Sequence, residues 1–74
     1  MGNKMTYEEL VKNDLPRWVV VNLSDNRIIA EEWTWSAADF AALDAERTYY
    51  GDHIRIYDRM DAYDFEKVKI FRKG

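Results

Sequence analysis

The chain has 74 residues, a formal net charge of −3 and no cysteine, so it holds one domain kept together by packing rather than by disulfides or thiolate-bound metal. Hydrophobic residues at 47% and charged residues at 34% exclude a disordered chain. Apolar runs such as Trp18–Val21 stop far short of the roughly 20 residues of a membrane span, and Asn3, Lys4, Glu8 and Glu9 stand where the apolar part of a signal peptide would lie.

A single domain over 1–74 is expected, with 1–5 a flexible N-terminus. Met1 to Thr6 match the M-G-x-x-x-[ST] acylation pattern, which is too loose to assign a lipid. Thr6-Tyr7-Glu8-Glu9 has capping-box spacing, and Tyr7, Leu10 and Val11 share one helical face. Pro16 bounds this segment on its C-terminal side, because the residue before proline avoids helical dihedrals. A short helix near 7–13 is therefore expected. Arg17 to Leu23 is β-branched and aromatic and reads as a strand. Ser24-Asp25-Asn26 is turn chemistry, since these side chains bond their own backbone and tolerate positive φ. Arg27 to Trp33 alternates weakly and completes a hairpin over about 17–33.

Trp35 to Phe40 opens the main helix, with Ser36 as N-cap, Asp39 at the N3 place and Trp35 stapled to Phe40. The helix runs to about Tyr50, and Gly51 supplies a left-handed residue after it. Its sequence offers two apolar faces. Phe40, Leu43 and Tyr50 form a stripe of large side chains, and Ala37, Ala38, Ala41, Ala42 and Ala45 with Tyr49 form a small-residue face. A helix covering one sheet needs only one of them. The spare face either meets a second chain, whose close approach alanines would allow, or is simply a set of good helix formers at the surface. His53 to Arg59 alternates as a strand, 60–64 reads as a loop, and Phe65 to Phe71 alternates again as the closing strand of a second hairpin. The expected fold is α+β: a short helix, then ββαββ with an antiparallel sheet and one main helix packed on one face.

Little in the chain looks catalytic. His53 is the sole histidine, and no spacing places it beside Ser24 or Ser36 with an orienting carboxylate. One His and no Cys leave only carboxylates for a metal. No catalytic residue, metal or cofactor is assigned. The charge is uneven: residues 1–64 hold 13 acidic against 7 basic side chains, while 65–74 hold 1 against 4. An acidic body opposes direct nucleic-acid binding, which relies on Lys and Arg against phosphate. It fits a basic protein partner. Asp58, Asp61 and Asp64 recur every third residue, near Asp52 and Glu66. They read as ordinary turn formers, as an acidic, phosphate-imitating patch, or as a hard-cation site, though the alternate-position ligands and central Gly of an EF-hand loop are missing. Tyr57 and Tyr63 flank this run and join it as partner contacts.

Strand, turn, strand, then Ser36-x-x-Asp39-Phe40 opening a helix, then a strand after a Tyr-Gly break, resembles the small phage uracil-DNA glycosylase inhibitors. The same order of elements resembles a phage inhibitor of bacterial RNA polymerase. The likeness covers about residues 18–57. It implies an acidic surface that imitates DNA and an aromatic side chain near the helix start that enters an enzyme groove. The matching position is Phe40, with Asp39 beside it. One turn on, this chain has Leu43 and Asp44 rather than a second aromatic, and its first helix and basic last segment are additions.

The expected protein is thus non-catalytic and cytoplasmic, in the host cell if phage-encoded. It binds and inhibits a host nucleic-acid-processing enzyme, partly through DNA-like charge. The alternative is a structural module acting as a homo-oligomer, such as a homodimer joined by the alanine face and an edge strand.

Overall fold

The computed structural model describes residues 5–73. Residues 1–4, which carry most of the expected flexible terminus and of the acylation pattern, lie outside the described residues. The order is α1 (Tyr7–Lys12), β1 (Trp18–Asn22), β2 (Arg27–Glu32), α2 (Trp35–Thr48), β3 (Ile54–Asp58), α3 (Ala62–Val68) and β4 (Arg72–Lys73). The domain is α+β, as the composition and periodicity indicate. The capping box of α1 forms as expected: Glu9 N–H donates to Thr6 Oγ1, and Thr6 N–H donates to Glu9 Oε1. The β1–β2 hairpin also forms, with Asn26 in the left-handed region at φ 57°.

The last third of the chain departs from expectation. Residues 60–71 are not a loop and a returning strand. Asp61 caps a helix by accepting from Asp64 N–H at 2.9 Å. Phe65 and Val68 lie three apart, which is helical spacing, and Val68 is buried. Instead of a second hairpin there is a two-residue strand, β4, lying parallel to β2. The sheet is therefore mixed, not antiparallel, with strand order β3-β1-β2-β4.

Helices cover both faces, and the connections explain why. β2 and β3 are each antiparallel to β1, so α2 joins two parallel strands by stepping across β1. α3 joins β3 to β4 and steps back the other way. Crossovers of one preferred hand that travel in opposite directions fall on opposite faces. On one face Val20 meets Ala38 and Ala42 of α2, with Trp18, Ile54 and Ile56 beside them. On the other, Val19, Val21, Ile28 and Tyr57 pack with Val68 and Phe71.

A bulge refines this layering. The β1–β2 register slips between Val20 and Val21, so that Val20 lies opposite Ala30 and Val21 opposite Ile28. Ile29 is the extra residue, which accounts for the weak alternation of this stretch. Strict alternation would set Ile28 and Ala30 on one face and Glu31 on the other. With the bulge, Ile28 and Glu31 share the α3 face.

Candidate functional site

The outward face of α2 is the strongest surface feature. Its helix starts two residues before the sequence indicates. Thr34 is the N-cap, with its hydroxyl accepting from Ala37 N–H at 3.2 Å, so Ser36 is already inside the first turn. Trp35 does not staple to Phe40. It sits edge-on against Trp18, ring centroids 5.2 Å apart at 72°, and fastens the helix start to β1. The helix ends at Thr48, and Gly51 takes the expected left-handed conformation at φ 89°.

The two apolar faces of α2 resolve clearly. Ala38, Ala42 and Ala45 are buried against the sheet, so the alanine face is not available to a second chain. Small residues let the helix lie close to β1 and β3. The large stripe points outward: Phe40 is 75% and Leu43 52% exposed. With Asp44 and Arg47 these two line a shallow groove. Asp39, Asp44 and Glu46 surround the stripe with negative charge against the single Arg47. Tyr50 lies beyond the helix end and is exposed.

The acidic run behaves differently. Asp58 Oδ1 and Oδ2 accept from Arg17 Nε and a terminal guanidinium nitrogen at 2.9 and 3.0 Å, and Oδ1 also accepts from Met60 N–H. Asp61 caps α3. Asp64 Oδ2 accepts from Asp58 N–H at 3.0 Å, and Oδ1 lies 4.0 Å from Arg55. The every-third spacing is the spacing of a cap and its N3 residue. These carboxylates close the β3–α3 turn, and only Asp61 among the three is exposed. Tyr57 must be withdrawn as a surface contact. It is 1% exposed, tilted against Phe71 at 5.4 Å, with Arg55 over its ring. Burial pushes its phenol up, an effect that Arg55 partly opposes. Tyr63 does stand on the surface, beside Glu66, Lys67 and Ile70 of the α3 side. The expected contact residues thus divide: Phe40 and Asp39 share α2, while Asp58, Asp61, Asp64 and Tyr63 belong to the turn and helix at the end of β3.

Ser24 and His53 are brought together, but through main chain: the His53 N–H donates to Ser24 Oγ at 3.1 Å. Two buried polar groups escape sequence reasoning. Asn22, fully buried, donates to Asp52 Oδ2 at 2.8 Å and accepts from Ser24 N–H, tying the hairpin turn to the α2–β3 loop. Arg59 is 6% exposed and donates to the Pro16 carbonyl at 2.7 Å and to Glu31 Oε1 at 3.0 Å. Lys73 reaches Glu31 Oε2 at 2.8 Å. Only the bulge at Ile29 places Glu31 there, and periodicity alone does not reveal it.

Desolvation alone would push the Glu31 carboxyl up. Hydrogen bonds and charge from Lys73 and Arg59 outweigh it and hold the group below the ordinary glutamate range. A depressed folded value gives stability that is present above the unfolded value and lost as pH falls through the folded one. Acid titration of wild type and Glu31→Gln is therefore expected to show a steeper stability loss in wild type below about pH 4.3. Parallel curves would remove this assignment. Among the described residues no three His, Cys, Asp or Glu side chains are grouped to hold a metal ion, and no helix is long and apolar enough to cross a membrane. Comparison with protein-family models, curated proteins and solved structures finds no match for this chain.

Proposed function

We propose that the chain is a small, acidic, non-catalytic binding protein that docks on a partner protein through the outward face of α2. One observation carries this reading. The main helix buries its alanines and leaves Phe40 and Leu43 in solvent, the reverse of what burial of apolar area favours. An exposed aromatic beside an exposed leucine, ringed by Asp39, Asp44 and Glu46, has the form of an interface hot spot with a charged rim. The rim selects a basic surface and speeds encounter with it. A nucleic-acid-processing enzyme of the host presents such a surface in its substrate groove, and the resemblance to phage glycosylase inhibitors favours that class. The Asp58/Asp61/Asp64 turn contributes less than its composition implies, because its carboxylates are engaged in capping and ion pairs.

The test is retention of bacterial proteins on the immobilised chain after nuclease treatment, with washes at rising salt. A specific enzyme released by salt is expected, since exposed charge pairs are screened. Phe40→Ala is expected to weaken that complex by about thirtyfold or more, the scale of a hot-spot truncation of 2 kcal/mol. Its melting temperature should stay within a degree or two of wild type, because the ring is already in solvent. Undiminished binding by Phe40→Ala, or a complex indifferent to salt, would overturn the docking face or the charge contribution respectively.

A further inference from the structure

The fold uses only half of the Arg59 guanidinium. Nη1 donates to the Pro16 carbonyl at 2.7 Å and to Glu31 Oε1 at 3.0 Å. Nε and Nη2 make no hydrogen bond among the described residues, although the residue is only 6% exposed. No sealed side-chain nitrogen or oxygen among those residues lacks a partner, so these two atoms are not closed off. They meet open space, and that space is a cavity which Arg59 lines. Charged donors this deep, left without an acceptor, favour an anion that supplies one.

The cavity lies on the α3 face of the sheet, between the segment before β1 and the C-terminal segment. It holds about 320 Å³, the size of a small-ligand site. Leu15, Ile28, Phe65, Val68 and Phe71 form apolar walls. Leu15 and Phe65 are half-buried, so those walls reach the surface. Lys69 and Lys73 complete the lining. Both are already paired, with Glu66 and Glu31, and so supply field rather than new hydrogen bonds. The three cations exceed these two carboxylates by one charge. An otherwise acidic chain therefore keeps one apolar hollow that is locally positive.

The unused edge identifies the head group. Nε–H and one Nη2–H point the same way, and the pair matches the two oxygens of a carboxylate. The protein already uses this fork elsewhere: Arg17 Nε and Nη2 hold Asp58 Oδ1 and Oδ2 at 2.9 and 3.0 Å. We propose that the cavity binds a small monocarboxylate with an apolar chain, its head on the Nε–Nη2 edge of Arg59 and its chain along Phe65, Val68 and Phe71. Both parts are needed. A head without a chain leaves the apolar walls wet, and a chain without a charged head leaves the fork unpaired. A single negative charge suits the one excess positive charge, whereas a phosphate dianion would also meet the nearby Glu31. The site lies across the sheet from the α2 docking face and is independent of it.

Calorimetric titration of the full chain with octanoate, paired with NMR of arginine Nε–H and methyl groups, tests this directly. Octanoate is expected to bind once per chain with a Kd below about 1 mM, a modest yield for a ligand of its size. It should shift the Arg59 Nε–H signal and the Ile28 and Val68 methyl signals, and leave those of Phe40 and Leu43 in place. Acetate, which lacks the chain, and octanamide, which lacks the charge, should each bind about tenfold more weakly or worse. Arg59→Lys keeps a cation for Glu31 and the Pro16 carbonyl but has no fork, so a similar loss of affinity is expected from it. Should that variant misfold, Leu15→Trp fills the cavity from its half-buried rim and should abolish binding. The proposal is overturned if octanoate fails to bind at millimolar concentration, or if octanamide binds as tightly as octanoate. Octanoate that leaves the Arg59 Nε–H signal unmoved, or that binds a folded Arg59→Lys or Leu15→Trp as it binds wild type, would also overturn it. Tighter binding of octyl phosphate would overturn the choice of head group.

Discussion

Replacing Arg59 with alanine is expected to lower folding stability by about 3–5 kcal/mol, the range for removing one member of a buried ion pair. A chain of this length has about 4–11 kcal/mol in all, so the variant should be close to unfolding at room temperature. The guanidinium bridges three parts of the molecule: the Pro16 carbonyl before β1, Glu31 on β2, and its own position after β3. Truncation leaves that carbonyl without its donor and Glu31 with Lys73 alone. Lys73→Ala is the matched control. Its side chain is 73% exposed, and exposed pairs contribute about 0–1 kcal/mol. The double variant Arg59→Met with Glu31→Leu removes both buried charges and should recover part of the loss. Denaturant titration reads all three. A loss below about 1 kcal/mol in Arg59→Ala would show that the pair is no more than a surface contact.

Truncating Tyr57 to alanine is expected to cost about 3–5 kcal/mol, as for other large aromatics removed from a core. The ring is the largest fully buried side chain and fills the space between Val19 and Phe71 on the α3 face. A cavity there cannot readily be closed by the sheet, because β3 is held in register along β1. Tyr57→Phe, which keeps the ring, should lose under about 1.5 kcal/mol, as volume-conserving swaps do. Equal losses in the two variants would mean that the hydroxyl, not the ring, holds the core. Phe40→Ala removes a similar ring with almost no effect on folding, and the contrast separates a core aromatic from a docking one.

Signals in the first two thirds of the chain are legible in the sequence because they are local. The capping box at Thr6–Glu9, the Ser24–Asn26 turn and the left-handed Gly51 each depend on neighbours a few residues away. The start of α2 is ambiguous because Thr34 and Ser36 are both good caps, and the Trp18–Trp35 contact that decides between them is remote in sequence. Residues 65–71 mislead for a different reason. Short apolar runs fit periods of two and of three and a half about equally well, and the deciding feature, Asp61 capping Asp64, resembles a loop cluster. Which face of α2 is buried cannot be read at all. Hydrophobicity favours Phe40 and Leu43 inside, but the close approach of the helix to β1 and β3 admits only alanine. The division of the acidic run into capping groups also depends on contacts, chiefly Arg17 reaching across to Asp58.

The two-residue β4 governs how the molecule breathes. Its pairing with Arg27 and Ile28 closes the longest loop in the sheet, and few bonds repay that closure. Phe71 and the Lys73–Glu31 contact are its main anchors. The C-terminal strand is therefore the segment expected to detach first, as a sub-global opening below the free energy of full unfolding. While it is detached, the β2 border loses its cover, and the bulge at Ile29 becomes the remaining barrier to strand exchange between molecules. The irregularity that sets Glu31 beside Arg59 thus also acts as a fail-safe against aggregation in the partly open protein.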